Sequence, residues 1–251
     1  MGNIFTTLIV QPFYNALILL VDFLTADLGI AIIVLTILFR FVLFPLSKSQ
    51  IKTQLKMKQV QKPLRDLKEK YGKQPEVMAK EMMKLYKDNE IKPFSGILLL
   101  FIQLPLLFGF YYVFINTGLP EINFNLLYSF IPVPENLSTM FLGFVDVTEK
   151  SVVLAMMVAV TQYFQAKLLL PATDEDDKDR KLSPTEEIMK GLQTQMVYVM
   201  PIVIMFISYF FGAIVALYLL TSNVFSIAQE MYIRKTLREP ESKKIKELQT
   251  E

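Results

Sequence analysis

The sequence predicts an all-α integral membrane protein with five transmembrane helices, an N-terminal interfacial helix and a cytoplasmic helical hairpin. Hydrophobic residues make up 53% of the 251 residues, charged residues make up 20%, and the mean hydropathy is +0.38. A soluble domain of this length usually carries more charge. Several apolar runs reach the roughly 20 residues that a helix needs to cross the hydrocarbon core. Lys and Arg are confined to alternate segments, as in multi-pass membrane proteins.

The composition also excludes several classes of site. The chain contains no Cys and no His. It therefore has no thiol nucleophile, no Ser-His-Asp triad, no disulfide, and no thiolate or imidazole metal site. The formal net charge is +2, so charge alone gives no reason to expect binding to DNA.

Residues 1–27 are predicted to form an external, interfacial amphipathic helix. Gln11, Asn15 and Asp22 fall at spacings of four and seven, which places them on one helical stripe. The alternatives are a further transmembrane span and a cleaved signal peptide. The signal peptide is disfavoured because no Lys or Arg precedes the apolar stretch.

Apolar runs predict the spans. The first transmembrane helix is assigned to residues 28–47, the second to 93–116 and the third to 151–170. The apolar stretch within 193–233 is too long for one span. Gly212 offers a turn near its middle, so we predict a fourth helix over Met196–Phe210 and a fifth over Ala213–Ile233.

Residues 48–92 are predicted to form a basic helical hairpin. Apolar residues recur at helical spacing in Ile51–Tyr71 and Val77–Tyr86, separated by Gly72 and Pro75. The segment holds thirteen Lys and Arg against six Asp and Glu. The hairpin either rests on anionic lipid headgroups or docks a cytoplasmic partner, and both can hold. The candidate docking residues are Lys56, Lys58, Lys62 and Arg65.

Three further segments complete the division of the chain. Residues 117–150 are assigned to an external loop, 171–192 to an acidic cytoplasmic loop, and 234–251 to a cytoplasmic tail. The acidic run between Asp174 and Asp179 has the ligand chemistry for a hard cation. It lacks the spacing and the Gly of an EF-hand loop, so a solvated linker is the favoured interpretation.

The distribution of basic residues sets the predicted orientation. Residues 1–39 contain no Lys or Arg, residues 116–151 contain one, and the segments 48–92, 167–190 and 234–251 contain thirteen, five and six. Short loops rich in Lys and Arg stay in the cytoplasm. The N-terminus is therefore predicted outside and the C-terminus inside.

Arg40 lies inside the first predicted span, where a charge is costly. No acidic residue occupies a span core to neutralise it. A water-filled cavity open to the cytoplasm would accommodate it; snorkelling of Arg40, and interhelical hydrogen bonding by the polar residues, are the alternatives. The candidate groove residues are Arg40, Thr36, Gln103, Thr161, Gln162, Gln165, Tyr218, Ser222 and Asn223.

Four stretches, in this order, resemble the YidC/Oxa/Alb family of membrane protein insertases. They are Val10–Asp22 leading into Ile37–Gln50, then Met57–Gly72, Lys92–Pro105 and Met200–Gln229, which ends ALYLLTSNVFSIAQ. The resemblance covers nearly the whole chain. One departure is Leu219, where the family usually has Trp.

The resemblance implies a five-helix core with a hydrophilic groove facing the cytoplasm, in a bacterial plasma membrane. The family's groove arginine corresponds to Arg40 through the motif Arg-x-x-x-x-Pro-Leu. Nascent membrane proteins are the implied clients, membrane lipids are implied partners, and the Sec translocase and the ribosome are further family partners. No nucleotide-driven motor, catalytic residue, cofactor or metal is implied.

We therefore interpret the chain as a non-enzymatic insertase that carries polar flanks of clients through the groove and releases their transmembrane segments into lipid. Two alternatives stay open. One is a small-anion transporter that uses Arg40 as its binding charge, although no inverted repeat is visible between the halves of the chain. The other is a structural membrane scaffold whose hairpin recruits partners.

Overall fold

A computed structural model describes residues 4–24, 26–72, 74–92, 105, 107–114, 119, 121–169, 191 and 194–248. These residues divide into two compact units. The first lies within Met1–Val42 and Ile102–Ala228, and the second lies within Leu43–Phe101 and Gln229–Glu251. Most described residues are helical. The predominantly helical architecture of the prediction is therefore confirmed.

The first unit begins with a π-helical segment, Thr6–Val10, which continues into helix α1, Gln11–Phe23. Helix α2 follows over Leu28–Val42. The π-helical segment lies directly before Pro12, which has no N–H to donate and so disturbs the regular hydrogen-bond ladder. A second π-helical segment, Gln195–Val199, precedes Pro201 in the same way.

Helices α1 and α2 pack together and with the helical residues 107–114 to form the main core. Tyr14, Ile18 and Val21 of α1 are buried, as are Leu28 and Ile32 of α2. Aromatic rings extend this core. The ring of Phe13 stacks on Phe39 with centroids 4.4 Å apart, and Phe110 stacks on Tyr218 at 4.5 Å.

Residues 121–150 contain a short antiparallel hairpin that periodicity did not indicate. Strand β1 is Met140–Phe141 and strand β2 is Val145–Asp146, with Met140 opposite Asp146 and Phe141 opposite Val145. Two positive backbone angles make the turn, +52° at Leu142 and +76° at Gly143. Strands of two residues are too short for an alternating pattern to reveal them.

Three further helices are α6 over Val152–Leu169, α7 over Met200–Phe210 and α8, which begins at Ala213 in the first unit and runs to Leu248 in the second. Gly212 separates α7 from α8 with a φ of +93°, a conformation that favours glycine. Helix α6 packs along α7 and its preceding π-helical segment. The turn lies at the glycine that the sequence indicated.

The second unit contains α3 over Phe44–Gln59, α4 over Gln61–Tyr71 and α5 over Pro75–Asp88. Helices α4 and α5 pack against each other. The predicted first block of the hairpin, Ile51–Tyr71, is thus divided at Val60. Pro63 explains the break, because it cannot donate to the carbonyl of Gln59 and its ring crowds that carbonyl.

The first predicted span also differs from the structure. Helix α2 ends at Val42, whereas the predicted span continued to residue 47. The backbone of Leu43 is no longer helical, with a φ of −83° and a ψ of 0°. Pro45 lies in the first turn of α3. Pro45 cannot donate to the carbonyl of Phe41, so the helix is interrupted before it.

By length and apolar composition, two helical stretches among the described residues are able to cross a membrane, Thr6–Phe23 and Ala213–Leu237. The pair α2 and α3 makes a third if it counts as one broken span, and the apolar helices Val152–Leu168 and Gln195–Phe210 are shorter. The five predicted spans stay a prediction. Most of the second predicted span and most of the acidic loop 171–192 lie outside the described residues.

Asn15, which belongs to the predicted polar stripe of α1, does not face water. Its side chain is buried. The amide nitrogen donates to the carbonyls of Gln11 and Leu126, each at 2.7 Å, and the amide oxygen accepts from the N–H of Tyr128 at 2.6 Å. The polar stripe of α1 is therefore satisfied in part by backbone groups of Leu126 and Tyr128.

Candidate functional site in the helical bundle

Arg40 lies on a buried face of helix α2, within an otherwise apolar stretch of sequence. Only 7% of Arg40 is exposed, and its guanidinium donates a hydrogen bond to Oγ of Ser222 on α8. Thr36 lies one turn earlier on the same face and is also buried. Its hydroxyl donates to the carbonyl of Ile32 at 2.7 Å. The two α2 residues of the predicted groove thus share one inward face.

Helix α8 supplies the partner face. Tyr218 and Ser222 are four residues apart and therefore neighbours on one side of the helix, and both are buried. The Tyr218 ring stacks on Phe110, so its position is fixed by aromatic packing. The hydroxyl of Ser226 donates to the carbonyl of Ser222 at 2.8 Å. Arg40 and Ser222, which are 182 residues apart in sequence, meet on these two faces.

A second polar contact joins α6 and α8. The amide nitrogen of Asn223 donates to Oγ1 of Thr161 at 3.3 Å. The Thr161 hydroxyl lies within hydrogen-bond distance of the carbonyls of Met157, at 2.9 Å, and Val158, at 3.0 Å. This contact uses the inward face of α6. The other face exposes apolar side chains, among them Val153, Met156, Met157, Val160 and Phe164.

The two glutamines of α6 are half-buried rather than solvent-facing. Oε1 of Gln165 is buried without a hydrogen-bond partner among the described residues. A buried amide oxygen without a partner costs about 1–3 kcal/mol, and a water molecule or another polar group would remove that cost. Gln103, the remaining predicted groove residue, lies outside the described residues.

The charge of Arg40 is only partly compensated by the groups around it. Within the part of the chain that the structure describes, no carboxylate forms an ion pair with its guanidinium. A buried, unpaired charge is strongly unfavourable unless water or another polar group solvates it. The Ser222 hydroxyl satisfies one donor of a guanidinium that has five N–H groups. The arrangement therefore leaves hydrogen-bonding capacity for water or for an acidic ligand.

The candidate docking residues of the hairpin lie on α3 and α4. Lys56 Nζ is 2.7 Å from Oε2 of Glu90, just beyond the end of α5. This hydrogen bond and the positive charge of Lys56 lower the pKa of the Glu90 carboxyl. Lys62 is exposed, and Lys58 and Arg65 are partly buried. Lys56 thus has an intramolecular partner, and its docking role stays a prediction.

Two polar features were missed by the sequence analysis. Asp27 is buried, and its Oδ1 accepts from the N–H groups of Gly29 and Ile30 while its Oδ2 accepts from the N–H of Leu142. An Asp directly before an apolar helix is a recognisable N-cap signal. Glu230 is also buried, and its Oε1 accepts from Nε of Arg234 at 2.9 Å. Their spacing of four residues was the available signal.

No group of three or more metal-ligating side chains occurs in the described ranges. The acidic run of the 171–192 loop lies outside those ranges. Between α4 and α5 there is an open groove with Leu67, Tyr71 and Leu85 among its apolar residues. Charged residues of both signs line the same groove, namely Asp66, Lys70, Glu81, Lys84 and Asp88.

Comparison with known proteins identifies the family. The family described as 60Kd inner membrane protein matches residues 19–241. A protein named membrane protein insertase YidC from Clostridium perfringens is 32% identical over 204 residues, which are 81% of this chain and 77% of that protein. Proteins of the same name from Geobacter sp. and Cellvibrio japonicus are each 30% identical over 85% and 94% of this chain.

This chain spans about a third of the length of the Geobacter and Cellvibrio proteins. The Clostridium protein is matched over most of its length. The family match includes α2, the hairpin helices and the part of α8 that carries Ser222. On this evidence the chain belongs to the 60Kd inner membrane protein family, which confirms the resemblance to the YidC/Oxa/Alb insertases.

Proposed function

We propose that this bacterial membrane protein is an insertase, which carries the polar flanks of client membrane proteins through a hydrated groove beside Arg40 and releases their apolar segments into the bilayer. The observation that carries the proposal is the buried Arg40 guanidinium, bonded to a hydroxyl and without a carboxylate partner among the described residues. The relatives named membrane protein insertase YidC support the same function.

The physical problem that an insertase solves is the dehydration of a polar flank. A charged side chain in hydrocarbon costs several kcal/mol. A groove lined by hydroxyls, amides and one cation replaces part of the lost hydration, and it shortens the path through hydrocarbon. Arg40 would attract acidic residues in the flank, while Thr36, Gln103, Gln162, Gln165 and the Tyr218, Ser222 and Asn223 face would exchange hydrogen bonds with its backbone. No bond is made or broken in this account.

The lipid-facing side of the bundle supports release of the client. Apolar side chains are exposed along α6 and α7, among them Met156, Phe164, Ile202, Val203 and Phe206. Contiguous exposed apolar surface of this extent requires a membrane or a partner. A client segment that leaves the polar face would therefore meet lipid.

We extend the proposal to topology and partners. The distribution of Lys and Arg supports five spans, an external N-terminus and a cytoplasmic C-terminus. The basic hairpin, with Lys56, Lys58, Lys62 and Arg65, would rest on anionic lipid or receive clients. The Sec translocase and the ribosome are proposed as further partners on the strength of the family resemblance.

Insertion by the purified protein in liposomes tests the proposal. The client is a short single-span protein with either acidic or neutral residues in its translocated flank. We expect Arg40→Ala to slow the acidic client about fivefold, because a carboxylate about 8 Å away at an effective dielectric of about 40 gains about 1 kcal/mol. Arg40→Lys should retain most activity, since it keeps the cation. Ser222→Ala keeps the charge, so any slowing that it causes should be equal for the acidic and the neutral client.

Three results would contradict the proposal. They are equal insertion in liposomes with and without the protein, equal slowing of both clients by Arg40→Ala, and protein-dependent uptake of a labelled anion without insertion. The last result would favour the transporter. Thermal unfolding of each variant in detergent separates loss of activity from loss of the fold.

A further inference from the structure

We propose that the tip of the β1–β2 hairpin, Leu142–Gly143–Phe144, inserts into the interface of the lipid bilayer on the side at which α2 and α8 begin. The tip carries the most exposed large apolar side chain of its loop, Phe144, which is 88% exposed, and Leu142 is 59% exposed. Met140 on β1 is also exposed. An apolar tip of this kind in water would be unfavourable.

The hairpin has an inward and an outward side. Phe141 packs on Gly29 at the start of α2, so closely that a Cβ atom on Gly29 would lie 2.5 Å from Cδ2 of Phe141. Met140, its neighbour on β1, faces the other side, as the alternation of side chains in a strand requires, and Leu142 is exposed in the turn that follows. The apolar tip is therefore distinct from the side of the hairpin that packs on the bundle.

Hydrogen bonds attach the β1–β2 hairpin to the N-terminal ends of α2 and α8, which fixes the position of its tip along the helix axes. The N–H of Leu142 donates to Oδ2 of Asp27 at 2.9 Å, and the same carboxylate caps α2 through Gly29 and Ile30. At the other end of the hairpin, the carbonyl of Val147 accepts from the N–H of Ile214 at 3.0 Å. The carbonyl of Glu149 accepts from Ala213 at 2.7 Å. Both attachments are at the N-terminal ends of apolar helices.

The residues beside the second attachment have the chemistry of a membrane interface. Phe210 and Phe211, at the end of α7, are exposed. The Lys150 ammonium lies 5.7 Å from the ring centroid of Tyr209 and 5.5 Å from that of Phe210. Aromatic rings and a basic side chain at the end of a span are typical of the headgroup region. The hairpin is attached at this level, which supports placing its exposed apolar tip in the same interface.

The hydrogen bond from Leu142 to Asp27 holds the turn at the tip, and the outer side of the turn is open. Leu142 has a φ of +52°, which leucine rarely adopts. A Cβ atom on Gly143 would meet nothing within 4 Å. The turn thus projects Leu142 and Phe144 away from the protein, and lipid is the occupant to which the proposal commits. A second copy of the chain is the competing occupant.

The absence of Trp from the chain makes a direct test possible. Phe144→Trp introduces a single Trp at the tip, which is excited selectively over Tyr, and Asn136→Trp introduces one at an exposed polar position of the same loop. Both proteins are reconstituted as full chains in liposomes with and without brominated lipid. Thermal unfolding in detergent verifies that each variant keeps the parent's stability, and Leu142→Trp supplies a second tip position.

We expect brominated lipid to quench Phe144→Trp several-fold more than Asn136→Trp, at every protein-to-lipid ratio, and iodide to quench it less. Quenching of Phe144→Trp and Leu142→Trp by iodide as strong as that of the control would overturn the proposal. If neither brominated lipid nor iodide quenches the Trp at the tip, the tip contacts protein instead of lipid. If its protection from iodide weakens as the protein is diluted with lipid, the tip contacts a second copy of the chain. None of these results depends on insertase activity, so the proposed function is tested separately.

Discussion

Among the described residues, charged side chains are buried in the helical bundle of the first unit but not in the basic helical hairpin of residues 48–92. In the bundle, Arg40 and Asp27 are buried, and each is held by hydrogen bonds to groups far away in sequence. In the hairpin, Lys56 pairs with Glu90 near the surface, where Glu90 is 76% exposed. Burial makes a polar contact strong and insensitive to salt, whereas exposure makes it weak and screened. The bundle is therefore expected to tolerate fewer changes.

Removal of the buried carboxylate of Asp27 should have the largest effect on stability. Asp27→Ala deprives α2 of its cap and leaves the N–H of Leu142 without its acceptor. We expect the free energy of unfolding to fall by about 3 kcal/mol. Asp27→Asn should lie between the parent and Asp27→Ala, because the amide keeps one acceptor oxygen. Thermal unfolding in detergent measures both.

Asp146, on strand β2, is the matched control. Its Oδ1 accepts from the N–H and the hydroxyl of Thr148, at 2.9 and 2.6 Å, in an exposed setting. Asp146→Ala should therefore cost less than about 1 kcal/mol. Equal losses for the two alanine variants would show that burial does not separate the two aspartates.

Charge reversal on the hairpin should have a smaller, salt-dependent effect. Lys62→Glu changes the charge of an exposed position by two units, and we expect it to weaken docking on anionic lipid by about 1–2 kcal/mol. The measurement is energy transfer from a dye on Met83→Cys, exposed on α5, to labelled lipid at low and high salt.

The matched control for Lys62→Glu is the double swap Lys56→Glu with Glu90→Lys, which keeps both the ion pair and the net charge of the hairpin. We expect energy transfer for the swapped protein to equal that of the parent. If Lys62→Glu docks as well as the parent at low salt, the hairpin does not rest on anionic lipid.

The Lys56–Glu90 pair should give the smallest effect, a local dependence on pH. The pair lowers the pKa of Glu90, so its stabilisation is present above the ordinary pKa of a Glu side chain and is lost as the pH falls through the lowered value. Hydrogen exchange at the end of α5 should therefore accelerate in acid relative to Glu90→Gln. A parent-to-variant ratio that stays constant with pH would show that the pair stabilises nothing.

The local features of the fold were accessible from the sequence. Apolar runs and the position of Gly212 indicated the helices on each side of the α7–α8 turn. The breaks at Leu43 and Val60 were missed although Pro45 and Pro63 follow them closely, because the helical spacing of apolar residues was given more weight than the missing N–H donors.

Contacts between distant segments were less accessible. The polar content of the spans identified Arg40 and Ser222 as candidates, yet a sequence carries no direct information that residues 182 positions apart form a hydrogen bond. The anchoring of Asn15 by Leu126 and Tyr128, and of Leu142 by Asp27, has the same character. Both depend on how an irregular loop folds back on the helices.

Reactivity of single cysteines in the native-like protein tests the central claim, that Arg40 faces a water-filled groove. Because the chain has no Cys, Arg40→Cys and the matched control Leu38→Cys each carry one thiol on α2. Leu38 is an apolar residue that is 50% exposed on the opposite side of α2, whereas Arg40 is buried against α8. The account predicts that a small water-soluble thiol reagent added to the protein in liposomes modifies Arg40→Cys and leaves Leu38→Cys unmodified. An unreactive thiol in Arg40→Cys, with reagent access to the cytoplasmic face verified at Met83→Cys, would contradict it.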